Sequence, residues 1–270
     1  MRDFGAWIRP PPTVTAAGIT VIHYDLGDDL KAFGQLDYSF DPEGNNTASD
    51  SAKLEEAYVG LDFGGTTVAI GRQNLAGDEF GVEAALETHT AEDRFEQVAD
   101  KGNDVIRLDT QIGDATLIAS VLLGAETSAN AGGEAFDILL ATELAGIDWA
   151  VAYQTFNDNT LGAEDQNSWG ISAAYDAGFA KLAADYSTTD TGATDKRVTN
   201  LAAKFKLSAN TSSAIGVVSA DEGNVDSREW YANIQHKLAG KKNINIFAEL
   251  ADTDQSGVDL GYLAGLQLTF

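Results

Sequence analysis

The sequence predicts an all-β chain, a transmembrane antiparallel β-barrel forming a single domain over residues 1–270. Three observations predict it. The first is period-two alternation, which puts apolar side chains on one face of a strand and polar or small ones on the other. It is clearest at the C-terminus, where Val258, Leu260, Tyr262, Ala264, Leu266, Leu268 and Phe270 share one face. Asp259, Gly261, Gly265, Gln267 and Thr269 share the other, with Leu263 the large apolar exception. The second is a rhythm of tight turns and longer polar connections, as a barrel with one short-turned and one long-looped rim would have. The third is the absence of proline from Glu43 to the C-terminus, which suits long paired strands.

Taken in order, the expected strands are 15–25, 30–40, 54–63, 66–73, 104–111, 115–124, 135–144, 147–156, 168–176, 179–187, 197–207, 211–220, 228–238, 243–251 and 258–270. Alternation justifies each, as at Leu30, Ala32, Gly34, Leu36 and Tyr38 against Lys31, Phe33, Gln35 and Asp37. Trp230, Ala232, Ile234 and Leu238 stand against Glu229, Tyr231, Asn233 and Gln235 in the same way. Tight turns are expected at Gly27-Asp28, Gly64-Gly65, Gly113-Asp114, Ala177-Gly178, Ala209-Asn210 and Gly240-Lys241. Longer polar connections are expected at 41–52, 73–103, 125–134, 157–167, 188–196, 221–227 and 252–257. A bacterial single-chain barrel carries an even number of strands. The total expected is therefore about 16 strands, with Asp3–Arg9 closing the ring against the final strand. Residues 1–14 leave room for an altered first strand. A helical period fits only around Val82–Ala99.

Composition narrows the function. No apolar run reaches the roughly 18 residues of a spanning helix. A barrel escapes that test, because only alternate residues meet lipid. There is no cysteine, so disulfides and Cys-based zinc sites are excluded. With 17 basic and 42 acidic residues the formal charge is −25, which argues against nucleic acid as a partner. No charged segment followed by an apolar run marks a leader at the N-terminus. A soluble acidic β-sandwich is the competing fold, and detergent-dependent extraction would separate the two.

Specific residues then carry a resemblance. Asp25-Leu26-Gly27-Asp28-Asp29-Leu30-Lys31-Ala32-Phe33-Gly34-Gln35-Leu36-Asp37-Tyr38-Ser39-Phe40 resembles the second hairpin of the general diffusion porins of Gram-negative outer membranes. Ala57-Tyr58-Val59-Gly60-Leu61-Asp62-Phe63-Gly64, followed by Thr67-Val68-Ala69-Ile70-Gly71-Arg72-Gln73, resembles the next hairpin. Asp78-Glu79-Phe80-Gly81 is similar to the tip of that family's third loop, with Asp78 where proline is usual. The likeness is strongest to acidic trimeric porins of the marine type. It implies a sixteen-stranded barrel, a homotrimer in contact with outer-membrane lipid and lipopolysaccharide, and passive passage of ions and small hydrophilic solutes. It also implies that 73–103 folds into the pore as a constriction loop.

A pore acts through the charge at its narrowest point. The resemblance places Arg72 on the wall and Glu79 on the loop, with Arg94 as a wall-facing partner and Asp78, Glu83 and Glu87 crowding the same loop. Arg107 lies on the polar face of its own strand and is a further lumen candidate. Arg72 shares parity with Val68 and Ile70, so strict alternation does not point it inward; a bulge near Gly71 would re-aim it, or the strand would have to lie at a subunit interface, where alternation is weaker. The loop acids could instead be solvated charges. His23, His89 and His236 have no metal-site spacing, and 221–226 lacks the full calcium-loop pattern. No enzyme, cofactor or metal is expected. Weak cation selectivity is expected, with a substrate-selective or structural outer-membrane barrel as the alternative.

Overall fold

The computed structural model describes residues 18–39, 53–82, 84–85, 99–124, 126–127, 130–131, 133–157, 165–192, 194–223, 225–238, 240 and 244–268. Its strands, in chain order, are β1 (Gly18–Gly27), β2 (Leu30–Ser39), β3 (Lys53–Asp62), β4 (Thr66–Asn74), β5 (Lys101–Ile112) and β6 (Ala115–Leu122). A two-residue ribbon follows, β7 (Glu126–Thr127) with β8 (Asn130–Ala131). Then come β9 (Glu134–Leu144), β10 (Ile147–Asn157), β11 (Gln166–Asp176), β12 (Ala180–Asp190), β13 (Asp195–Lys206), β14 (Thr211–Glu222), β15 (Val225–Lys237), β16 (Ile244–Thr253) and β17 (Gly261–Leu268). Apart from the ribbon they form one 15-stranded antiparallel sheet in which each strand pairs with its neighbour in sequence. Every expected strand is present. The sixteenth, expected at Asp3–Arg9, and the terminal Phe270 lie outside the described residues.

Alternation has the predicted physical result. Along β13, Val198, Asn200 and Ala202 are buried, while Arg197, Thr199 and Leu201 are exposed. The exposed face of the sheet is a band of aliphatic side chains, including Val151, Ile171, Leu201 and Val217. Aromatic residues flank the band. Tyr153 and Trp169 lie toward the long-loop rim, and Tyr24, Phe63, Tyr175 and Phe179 toward the short-turn rim. The Trp169 and Tyr186 rings lie 5.6 Å apart. Amphipathic rings belong at the two membrane interfaces, with pure hydrocarbon between them.

Several turns share a local device. In Asp25-Leu26-Gly27, Asp62-Phe63-Gly64, Asp176-Ala177-Gly178 and Asp190-Thr191-Gly192, the glycine N–H donates to the aspartate Oδ1 at 2.8 Å. An aspartate closing on the backbone two residues later imitates a backbone turn and leads the chain back.

Two expected long connections are not loops. β12 and β13 continue pairing to Asp190 opposite Asp195, and β14 and β15 to Glu222 opposite Val225. Outside the hydrocarbon both faces of a hairpin meet water, so Ser, Thr and Asp fit a ladder as well as apolar residues do. Polarity alone therefore did not mark where pairing stops. At the start of the Val82–Ala99 segment, Val82, Ala84 and Ala85 are irregular rather than helical.

Leu201, at mid-strand on the lipid face of β13, is 55% exposed in the isolated chain. Arg197, on the same face but at the rim, pairs with Asp195 at 3.5 Å and Asp221 at 3.8 Å. Leu201→Arg should cost about 2–4 kcal/mol of folding stability in bilayers, the penalty for a cation near the midplane. Reversible unfolding from lipid vesicles measures it, and a cost near zero would mean this face does not meet hydrocarbon.

Candidate functional site: a segment folded inside the barrel

Between β4 and β5 the chain turns into the barrel. Residues Ala76–Glu79 form one 3-10 turn, and Leu75, Ala76, Phe80, Val82 and Ala85 are buried. What buries them is the inner face of the sheet itself. At its start the segment lies on β6 and β9: Ala76 N donates to Ser120 Oγ at 2.8 Å and Gly77 N to Asp137 Oδ2 at 2.6 Å. Farther on, Val82 N donates to Asp185 on β12, and Asn200 Nδ2 on β13 donates to Val82 O. At Ala84 the pattern repeats on β15: its N–H donates to Tyr231 Oη at 3.2 Å, and its carbonyl accepts from Asn233 Nδ2 at 2.6 Å. One short segment thus touches strands from β6 to β15, which is possible only because the sheet curls around it.

The anchors are polar side chains on the face expected to be polar. A buried backbone N–H without a partner is costly, and water is excluded here. Asp137 carries most of the first anchor. It is fully buried, accepts from Gly77 N and Ser120 Oγ, and lies 3.3 Å from Gln154 Nε2. Gln154 also donates to Ala99 O at 2.7 Å, tying down the returning end of the segment. Room for the segment comes from small wall residues: Ala152, Ala174, Ala183, Ala202, Ala214 and Ala251 pack beneath it. At Gly170 a Cβ would fall 2.4 Å from the Phe80 ring, so that position must be glycine for Phe80 to seat.

Against this turn stands a charged cluster. Arg107, on the inner face of β5, reaches Glu79 Oε1 at 3.1 Å and Asp109 Oδ1 at 2.9 Å, and donates to Asn74 O at 3.3 Å. Beside it on β2 and β3, Gln35 Nε2 donates to Glu56, and Lys101 Nζ lies 2.9 Å from Glu55 Oε2. Asp37, Glu56, Arg107 and Asp109 all act electrostatically on Tyr58. Phe33 meets Tyr58 edge-on, with ring centroids 6.2 Å apart. The carboxylates Asp37, Glu55, Glu56, Glu79 and Asp109 outnumber the cations Lys101 and Arg107.

The expected site residues divide. Glu79 and Arg107 meet directly. Asp78 sits on the same turn, but its Oδ2 is held by Asn74 Nδ2 at 2.6 Å, so it also braces the turn. Arg72 stands opposite Ala57 in the register. That is the face of Val59 and Ile70, not the face of Arg107. Its Nε donates to the Leu54 carbonyl at 2.8 Å, and its Nη1 to Asn103. A bulge does occur beside Gly71, whose φ is 137°, but the extra residue lies on β5. Glu83, Glu87 and Arg94 lie outside the described residues. Asp37, Glu55, Glu56, Lys101 and Asp109 were not singled out from sequence, although the inward parity of Asp37 was visible. Among the described residues, no group of three or more His, Asp or Glu could hold a metal ion.

Asp137→Ala would strand the Gly77 N–H and loosen the turn, at a cost of about 1–3 kcal/mol. Single-channel current through the variant should be noisier than wild type. Faster hydrogen exchange at Gly77 should accompany it; unchanged exchange there would show that Asp137 does not anchor the turn.

Comparisons place this architecture. Comparison with curated protein sequences gives no match. A loop-deletion form of OmpT, an outer membrane protein of Vibrio cholerae, superposes with TM-score 0.77 at 13% identity, over 94% of this chain and 90% of that one. OmpT of Vibrio cholerae described as a trimer form gives TM-score 0.72 at 13% identity, over 93% and 88%. The anion-selective porin from Comamonas acidovorans gives 0.73 at 15% identity, over 96% and 86%. At such low identities the TM-scores establish a common fold and nothing beyond it. The family model for Gram-negative porins matches residues 15–258, and with a β-barrel narrowed by its own infolded segment, the chain belongs to the Gram-negative porin family of the outer membrane.

Proposed function

We propose that this porin is a water-filled, non-enzymatic channel for passive diffusion of ions and small hydrophilic solutes, weakly selective for cations. The observation that carries the reading is the Glu79 turn facing Arg107 across a cluster in which carboxylates predominate. A net negative constriction raises the local concentration of cations and lowers that of anions, most strongly when the Debye length exceeds the pore radius. The Arg107 guanidinium beside the carboxylates of Glu79 and Asp109 also gives the lining a strong local field. Polar solutes can align in it, whereas apolar ones lose ordered water without compensation. Asp78, Glu79 and Arg107 are the residues proposed to tune it, with Glu83, Glu87 and Arg94 on the same connection. An anion-selective porin has a similar fold, so on this reading the sign of selectivity rests on such side chains and not on the barrel.

In a KCl gradient the reversal potential should indicate preference for K⁺, fading as salt rises. Glu79→Gln with Asp78→Asn should weaken the preference and Arg107→Gln strengthen it. Arg72→Gln should act less than Arg107→Gln, because Arg72 lies on the other face of the sheet. A reversal potential indifferent to the Glu79 and Arg107 changes would sink the constriction reading.

The assembly proposed is a homotrimer embedded in outer-membrane lipid and lipopolysaccharide. A trimer form is described for the Vibrio cholerae protein of the same fold. The outer face of β1–β3 offers Ile22, Tyr24, Leu36, Val59 and Leu61 as contact area. Mass measurement in mild detergent should give three chains; a monomer would refute this assembly.

A further inference from the structure

We propose that Lys181, Lys204, Lys206 and Lys237 form a binding site for a small polyvalent oxyanion, of the inorganic phosphate class, inside the short-turn mouth of the barrel. All four share the inward parity of their strands: Lys181 that of Ala183 and Asp185, Lys204 and Lys206 that of Asn200 and Ala202, Lys237 that of Asn233. They line a cavity of about 450 Å³ beside the turns at Gly178 and Asn210.

The register makes the arrangement costly without a counter-charge. Lys181 and Lys204 are direct cross-strand partners, and like charges directly opposite each other destabilise a sheet. The charges acting on the Lys204 ammonium, among the described residues, are the cations Lys181 and Lys237. Lys181 has a carboxylate on its far side, Asp148 Oδ2 at 3.6 Å. Among the described residues lining the cavity, Asp176 is the only acid. Everything else polar there is neutral, with Ser212, Asn210 and Gln235 able to donate hydrogen bonds. Four of the 17 basic residues of a chain with net charge −25 therefore face one cavity. Ammonium groups on separate strands can each give a charge-assisted bond to one oxyanion, which a monovalent chloride ion cannot exploit equally. Placement inside the lumen makes a free solute the occupant, because a lipid headgroup would approach from the opposite face. The site's role in transport rests on the channel reading above; its existence does not.

The test uses the full chain refolded in detergent, titrated with inorganic phosphate and with KCl at matched ionic strength. Phosphate should raise the unfolding temperature of the wild type and KCl should not. The double variant Lys204→Gln, Lys237→Gln should bind phosphate at least about tenfold more weakly, one charge-assisted bond's worth. It should also be more heat-stable than wild type in phosphate-free buffer, because the repulsion is gone. Lys31→Gln, which removes one positive charge on the inner face of β2 near the same rim, should leave phosphate binding unchanged. In planar bilayers, phosphate added at the short-turn side should lower wild-type conductance but not that of the double variant. No phosphate-dependent shift in the wild type, or an equal loss in Lys31→Gln, overturns the site. Phosphate binding by a chain that conducts no ions would keep the site and defeat the channel reading.

Discussion

Everything in this structure depends on one constraint: in hydrocarbon, no backbone N–H or C=O can go unpaired. A sheet that closes on itself meets it, and a sheet imposes period two. Each residue of a spanning strand therefore meets either lipid or lumen, with no third environment. The aliphatic band of Val151, Ile171, Leu201 and Val217 and the buried polar row of Asp137, Gln154, Asp185 and Asn200 are two readings of the same strands. Because lipid dictates only the outer half, the inner half is free to carry chemistry.

The inner half is used first for shape. A segment crossing the lumen must satisfy its own backbone where water is excluded, and strand pairing is unavailable to it. Side chains of the wall replace that pairing. At Val82 and again at Ala84, one wall side chain accepts from the N–H and another donates to the C=O, as a neighbouring strand would. Such bonds require close approach, and so the wall beneath is alanine and glycine. The same residues that lower apolar content on the inner face thus fix the position of Glu79, and through it the charge that Arg107 meets.

The strands were legible from sequence because lipid enforces alternation without exception. The middles of β9 through β16 could be read from it, whereas β17, expected from Val258, pairs only from Gly261. The hairpin ends at 188–196 and 221–227 were not, because beyond the hydrocarbon nothing penalises polar residues in a ladder. Of the site, the Glu79 turn was legible through its resemblance to a pore loop, and Arg107 through parity. Arg72 shows where resemblance and parity conflict: the cross-strand register places it with Ala57, as its neighbours Val68 and Ile70 implied. The anchors were illegible for a different reason. Asp137, Asn200 and Tyr231 lie far apart in sequence and are joined only by a segment whose path no local pattern reveals.

Charge is zoned along the lumen rather than spread through it. Around Arg107 the surplus is acidic, and at the short-turn mouth Lys181, Lys204, Lys206 and Lys237 make it basic. At physiological ionic strength the Debye length is about 8 Å. Two zones separated by several residues of strand, at about 3.4 Å per residue, are thus partly screened from each other. Each can set its own local ion population. Net charge therefore says little about permeation in this protein. Charge far from the lumen does not touch a passing ion, while a few inward side chains decide what it meets. An anion held at the lysine mouth, as proposed above, would lower the positive potential there and leave the acidic cluster around Arg107 as the dominant zone.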